Sequence, residues 1–105
     1  MTGIELIAEK ARTNREHKGY TAAHDDEHVL GELSQAGAAY AKVASAQCRG
    51  AEAVEFDADM MVSEGEWPFE PESWKPSDDP MRNLVHAGAL IVAEIERLQR
   101  QRAKP

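Results

Sequence analysis

The run DPMRNLVHAGALIVAEIERLQRQR, Asp79 to Arg102, constrains this chain more than any other stretch. Asp79 can cap a helix, and Pro80 suits the first helical position, where a missing N–H is no loss. No further proline interrupts the run. Leu84, Gly88, Ile91, Ile95 and Leu98 share one face at helical spacing, and Val85, Ala89, Leu90, Val92 and Ala93 make the middle turns apolar almost all round. Such a helix is buried on several sides, so the rest of the chain must wrap it. Arg97, Arg100 and Arg102 suit the negative end of its dipole.

Two more helices precede it. The first spans about residues 3–17: Thr2 and Glu5 have capping-box spacing, Ile4, Leu6, Ile7 and Ala11 form a short apolar stripe, and Gly19 is a stop signal. The second spans about residues 21–46. Thr21 is its N-cap, and Asp25, Asp26 and Glu27 lie near the positive end of its dipole. Val29, Leu33, Ala36, Gly37, Tyr40 and Ala44 follow helical spacing as its buried face. The third helix then covers about residues 80–102, leaving 47–79 as a connector.

The connector changes character. Residues 48–80 hold ten acids, two basic residues and four of the five prolines, so regular structure is limited to a short helix within AEAVEFDADMMV. Trp67, Phe69 and Trp74 are its large anchors, and WPFEPESWKP reads as an extended strap whose rings dock on the helices. The other reading makes it a partner-binding strap. The expectation is one all-α domain: three main helices in a small bundle with an irregular, acidic, Trp-containing connector. At 105 residues the core is modest, so a homodimer is expected.

A net charge of −7 disfavours direct nucleic-acid binding, which needs clustered Lys and Arg. It suits solubility, a cation site or a basic protein partner. Cys48 is the single cysteine, which fits a reducing, cytoplasmic location. No stretch has the roughly 20 apolar residues needed to cross a bilayer, and MTGIELIAEK lacks the apolar core of a signal peptide.

Two segments echo each other: ELSQAGA (32–38) and NLVHAGA (83–89) both read Leu-x-x-Ala-Gly-Ala. Gly37 and Gly88 would let the second and third helices approach closely, with Glu32 and Asn83 in equivalent frames.

The chemistry concentrates in GYTAAHDDEHVLGEL, residues 19–33. On one continuous helix Asp25, His28 and Glu32 are spaced i, i+3, i+7 and form a stripe, and His24 and His28 have the i, i+4 spacing common among metal ligands. Asn83 and His86 face them from the third helix, with Glu94 further along. Carboxylates and imidazoles projected from facing helices are one way to build a metal centre in a bundle. Two carboxylates are a thin set for Mg²⁺, whereas imidazoles suit Zn²⁺, Mn²⁺ or Ni²⁺. The structural alternative assigns the acids to the helix dipole and the histidines to the surface.

The pairing of GYTAAHDDEHVLGEL with WKPSDDPMRNLVHAGALIVAEIERLQR resembles a group of small phage and prophage proteins of unassigned function, over about two thirds of the chain. More distantly the layout is similar to MazG-like all-α nucleoside triphosphate pyrophosphohydrolases. That resemblance implies Mg²⁺ or Mn²⁺ held by acids on two paired helices and gripping a triphosphate. Glu32 matches an acid of the first metal helix, while Asn83 stands where that family has an aspartate, and its dense double ExxE pattern is missing. The leading expectation is a metal-dependent nucleotide-binding or pyrophosphohydrolase-type protein, with Asp25, His28 and Glu32 holding the cation, Asn83 and His86 completing the site, and Lys18 or Arg82 meeting phosphate. The competing class is an acidic interaction protein that binds a basic host surface through Glu64, Glu66, Glu70 and Glu72, anchored by Trp67 and Trp74.

Overall fold

Thr2 and Glu5 exchange both hydrogen bonds of a capping box: Glu5 N–H donates to Thr2 Oγ1 (3.1 Å) and Thr2 N–H to Glu5 Oε1 (2.9 Å). Helix α1, Gly3–His17, grows from this cap. The computed structural model describes all 105 residues and contains helices but no strand. Gly19, at φ +72°, turns the chain out of α1, and Tyr20 N–H returns to Asn14 O at 3.0 Å.

The long second helix expected from residue 21 to 46 is two elements. Thr21 Oγ1 accepts His24 N–H and starts a single turn, α2, Ala22–Asp25. The chain then leaves the helix over residues 26–31 and restarts as α3, Glu32–Cys48. Gly31 sits at φ +82°, which L side chains rarely adopt, so the break lies where glycine permits it. Asp26 holds the break in place. Arg100 Nη2 donates to Asp26 Oδ1 at 2.9 Å and Nε to the same oxygen at 3.1 Å, tying this turn to the last helix. That guanidinium keeps the Asp26 carboxyl below the usual carboxylate range. One result is that Val29, expected in the core, is exposed.

The connector is more ordered than its prolines suggest. It holds 3-10 turns at Ala53–Glu55 and Pro71–Ser73 and a short helix α4, Ala58–Ser63, capped by Asp57. Trp67 and Trp74 are each 5% exposed and join Ala36, Tyr40, Val43, Met61 and Ala87 in the core. Trp67 Nε1–H donates to Glu70 O and Ser73 Oγ, both at 3.1 Å, and Trp74 Nε1–H to Phe56 O at 2.8 Å. Buried indoles with satisfied N–H groups fix the strap, so these rings are core and not partner anchors.

Helix α5, Pro80–Ala103, is the axis of the fold and packs against α1, α2 and α3. Its rotation differs from the sequence reading. Asn83, Ala87, Glu94 and Arg97 point inward, whereas Leu84, Ile91 and Ile95 are 44–51% exposed. Glu94 and Arg97 enter the interior as a pair, Arg97 Nε donating to Glu94 Oε1 at 2.5 Å, with Ser34 Oγ donating to Glu94 Oε2. The two echo glycines part ways. A Cβ on Gly37 would meet Ala87 O at 3.1 Å, so Gly37 is where α3 touches α5. A Cβ on Gly88 would meet Ile7 Cδ1 at 2.5 Å, so Gly88 makes room for α1. No helix is long and apolar enough to cross a membrane.

Candidate functional site

The break after α2 turns Tyr20, His24 and His28 toward the strap. Their rings begin a continuous series of edge and tilted contacts. Tyr20 meets His24 at 5.0 Å between centroids, His24 meets His28 at 5.1 Å, and His28 meets Phe69 at 5.0 Å. Phe69 and Tyr40 each meet Trp67 at 5.5 Å, and Tyr40 stacks on His86 at 4.1 Å. These rings surround a cleft of about 330 Å³. That volume is within the usual range for small-molecule sites.

The polar lining of the cleft mixes three carboxylates and an amide with the Arg15 guanidinium. Asn14, Asp25, Glu70 and Glu96 line it. Asp25, 9% exposed, lies with Oδ1 3.1 Å from His24 Nδ1, and Glu96 accepts from Arg15 at 3.4 Å. Asn14 is 8% exposed, and its Oδ1 is the buried side-chain atom without a hydrogen-bond partner. An orphan acceptor of this kind costs on the order of 1–3 kcal/mol.

A second depression, about 840 Å³, adjoins the first and shares Tyr20, Tyr40, Ser73 and His86 with it. Its character is opposite. Lys10, Lys18, Lys75 and Arg82 line it, against Glu9 alone among acids. Four of the 12 Lys and Arg residues therefore meet on a chain of net charge −7. None of them takes part in an ion pair. Partial burial, the adjacent Lys18 ammonium and the Arg82 guanidinium push the Lys10 pKa down to about 8. Burial, then Lys10 and Lys18, push His86 down to about 4, so it is neutral near pH 7.

The expected metal set does not assemble. No three His, Cys, Asp or Glu side chains gather where they could hold a metal ion. Because the helix breaks at residues 26–31, Asp25, His28 and Glu32 do not form one stripe. Asp25 faces His24, while Glu32 accepts from Leu30 N–H and lies 3.5 Å from His28 Nδ1. Burial works to raise the Glu32 pKa, but the backbone N–H groups of Glu32 and Leu30 and the His28 imidazole hold it low. Asn83, 1% exposed, is a structural clamp: Nδ2 donates to Gln47 Oε1 and Ser77 O, and Oδ1 accepts Ser77 N–H. His86 is stacked on Tyr40. Asp25, His28, Glu32, Asn83 and His86 thus do not converge as one ligand set in the ligand-free chain.

Lys18 and Arg82, by contrast, do share one groove. Of the connector acids, Glu64, Glu70 and Glu72 are exposed, while Glu66 accepts from Lys42 at 2.9 Å. Sequence reasoning missed Lys10, Asn14, Tyr20 and the role of Phe69. Asn14 had a visible signal: with Ile7 and Ala11 it completes an i, i+4, i+7 pattern, a polar residue on the buried stripe. No known family, characterised protein or solved structure matches this chain. The likeness to the phage group and to MazG-like hydrolases rests on the quoted motifs alone.

Proposed function

We propose that this protein binds a small phosphorylated ligand, a nucleotide being the leading class. The observation that carries the reading is the unpaired cationic groove of Lys10, Lys18, Lys75 and Arg82, opening directly into a ring-lined cleft. Burial first, and then the neighbouring Lys18 and Arg82 charges, lower the Lys10 pKa; an anion between these cations would offset the repulsion. Mg²⁺ or Mn²⁺ would arrive with the phosphates and be held largely by them, as small hard cations commonly are. The proposal is binding; Asp25 and Glu32, the acids expected to hold the cation, each lie beside an imidazole.

Titration calorimetry with pyrophosphate and with ATP tests the reading. Binding should appear with both and vanish in a Lys18→Glu, Arg82→Glu double variant that keeps its helical circular dichroism. Ligand at 100-fold over Kd should stabilise the fold by about 2.7 kcal/mol. Absence of heat and of any melting shift at millimolar pyrophosphate would sink it.

The expected homodimer is part of the same reading. The outward Leu84, Ile91 and Ile95 of α5 form an apolar stripe that a second copy would cover. A second functional reading, capture of a basic protein, keeps support from exposed Glu64, Glu70 and Glu72 but no longer from the two tryptophans.

A further inference from the structure

Asn14 lines the aromatic cleft, and its Oδ1 is the one buried side-chain polar atom left without a partner. Around it the cleft is lined by the carboxylates Asp25, Glu70 and Glu96, by the Arg15 guanidinium, which donates to Glu96, and by the rings of Tyr20, Trp67 and Phe69. Ring faces select a flat aromatic group. An unpaired buried acceptor selects one that brings an N–H, because only a donor there relieves the desolvation penalty. The adjoining cationic groove fixes where the charged end of the same molecule lies.

From this juxtaposition we infer that the cleft takes a nucleobase bearing an exocyclic amino group, its N–H donated to Asn14 Oδ1, while the phosphate lies on Lys10, Lys18 and Arg82. The inference rests on the phosphate-groove reading and adds the identity of the other end of the ligand. An amide side chain is well matched to such a base, since it can accept from the amino group and donate to the neighbouring ring nitrogen. Tyr20, which lines both depressions, stands where base and phosphate arms meet.

The test uses four probes: AMP, GMP, the 5′-monophosphate of unsubstituted purine riboside, and ribose 5-phosphate. Binding is followed by calorimetry and by indole emission, since Trp67 lines the cleft. AMP and GMP should bind at least ~10-fold tighter than the unsubstituted purine nucleotide and should quench emission, whereas ribose 5-phosphate should bind weakly without quenching. Asn14→Leu, which keeps the branched shape, should erase the amino-group preference and leave the ribose 5-phosphate affinity unchanged. It should also raise the ligand-free melting temperature, because the orphan acceptor is gone. Should that variant fail to fold, the wild-type series still decides. Equal affinity for all four probes with constant emission would overturn the base assignment and leave the phosphate groove standing. No binding of any probe would overturn both.

Discussion

Tyr40 and His86 lie ring on ring, their centroids 4.1 Å apart and their planes 11° from parallel. The pair links α3 to α5 at the wall shared by cleft and groove. Protonating His86 would set a charge inside this contact and beside two ammonium groups, Lys10 and Lys18.

Its folded pKa of about 4 lies below the unfolded value near 6.5. The unfolded chain therefore takes up the proton first as pH falls. Stability from the neutral ring is fully present above about pH 6.5 and is lost progressively toward pH 4, by about 3 kcal/mol. His86→Phe, which keeps a stacking ring, should flatten that part of the acid profile. Urea unfolding at pH 7, 5.5 and 4 measures it; parallel profiles for the two proteins would remove His86 from the account.

Lys10 supplies the alkaline counterpart. Burial, Lys18 and Arg82 hold it near 8, and Glu9, Tyr20, Tyr40, Lys75 and His86 are the other ionisable groups of the groove. A phosphate between the cations favours the charged ammonium and raises that pKa. Pyrophosphate binding at pH 8.5 should therefore take up protons, and affinity should fall as pH rises through about 8. Calorimetry in two buffers of different ionisation enthalpy reads the uptake directly. Lys10→Met should abolish it and lower affinity, and a buffer-independent heat for the wild type would contradict the arrangement.

The helical class was legible because periodicity, caps and proline placement agreed. Thr2 with Glu5, and Asp79 with Pro80, mark real helix starts. Gly31 was the signal left unused. Read as a small residue within an amphipathic run, it is the left-handed hinge that separates α2 from α3 and so dissolves the Asp25–His28–Glu32 stripe. The rotation of α5 was not legible either. Hydropathy put Leu84, Ile91 and Ile95 inward, but Asn83 and the Glu94–Arg97 pair bring their own hydrogen-bond partners into the interior. Those partners, Gln47, Ser77 and Ser34, come from elsewhere in the chain, beyond any local pattern. The groove was half visible: Lys18 and Arg82 were singled out, but Lys10 joins them only through the packing of α1 on α5.

The glycines separate two helix contacts. Gly37→Leu would drive a side chain into the Ala87 carbonyl, which as backbone cannot yield, and against the Ile91 side chain, and should cost about 1–3 kcal/mol or more. Gly88→Ala meets only the side chain of Ile7. Its cost should shrink when combined with Ile7→Ala, giving a coupling energy of about 0.5–3 kcal/mol in a double-mutant cycle. Simple additivity would mean that α1 does not press on Gly88.

The α5 stripe predicts the assembly. Leu84→Glu together with Ile95→Glu should leave the helical circular dichroism unchanged, since both side chains are at least 50% exposed. Light scattering after gel filtration should show the wild type as a dimer and the double variant as a monomer. A monomeric wild type at 100 µM, an order-of-magnitude ceiling for a useful dimer, would leave the stripe as bare surface.

The connector acids decide between the two functional classes. Glu64, Glu70 and Glu72 are exposed, and neutralising them to Gln removes three charges without touching the Trp67 and Trp74 hydrogen bonds, which use backbone and Ser73. Exposed charges act over about 8 Å at physiological salt and mainly set association rates. A protein that captures a basic partner should therefore lose most of its on-rate in the triple variant and weaken steeply with salt. A ligand-binding protein should keep its pyrophosphate affinity in that variant and lose it with Lys18→Glu and Arg82→Glu. Glu70 also lines the cleft, so the Glu64→Gln, Glu72→Gln pair serves as the cleaner control. Loss of ligand binding in that pair, with the cationic variants unaffected, would reverse the proposed assignment.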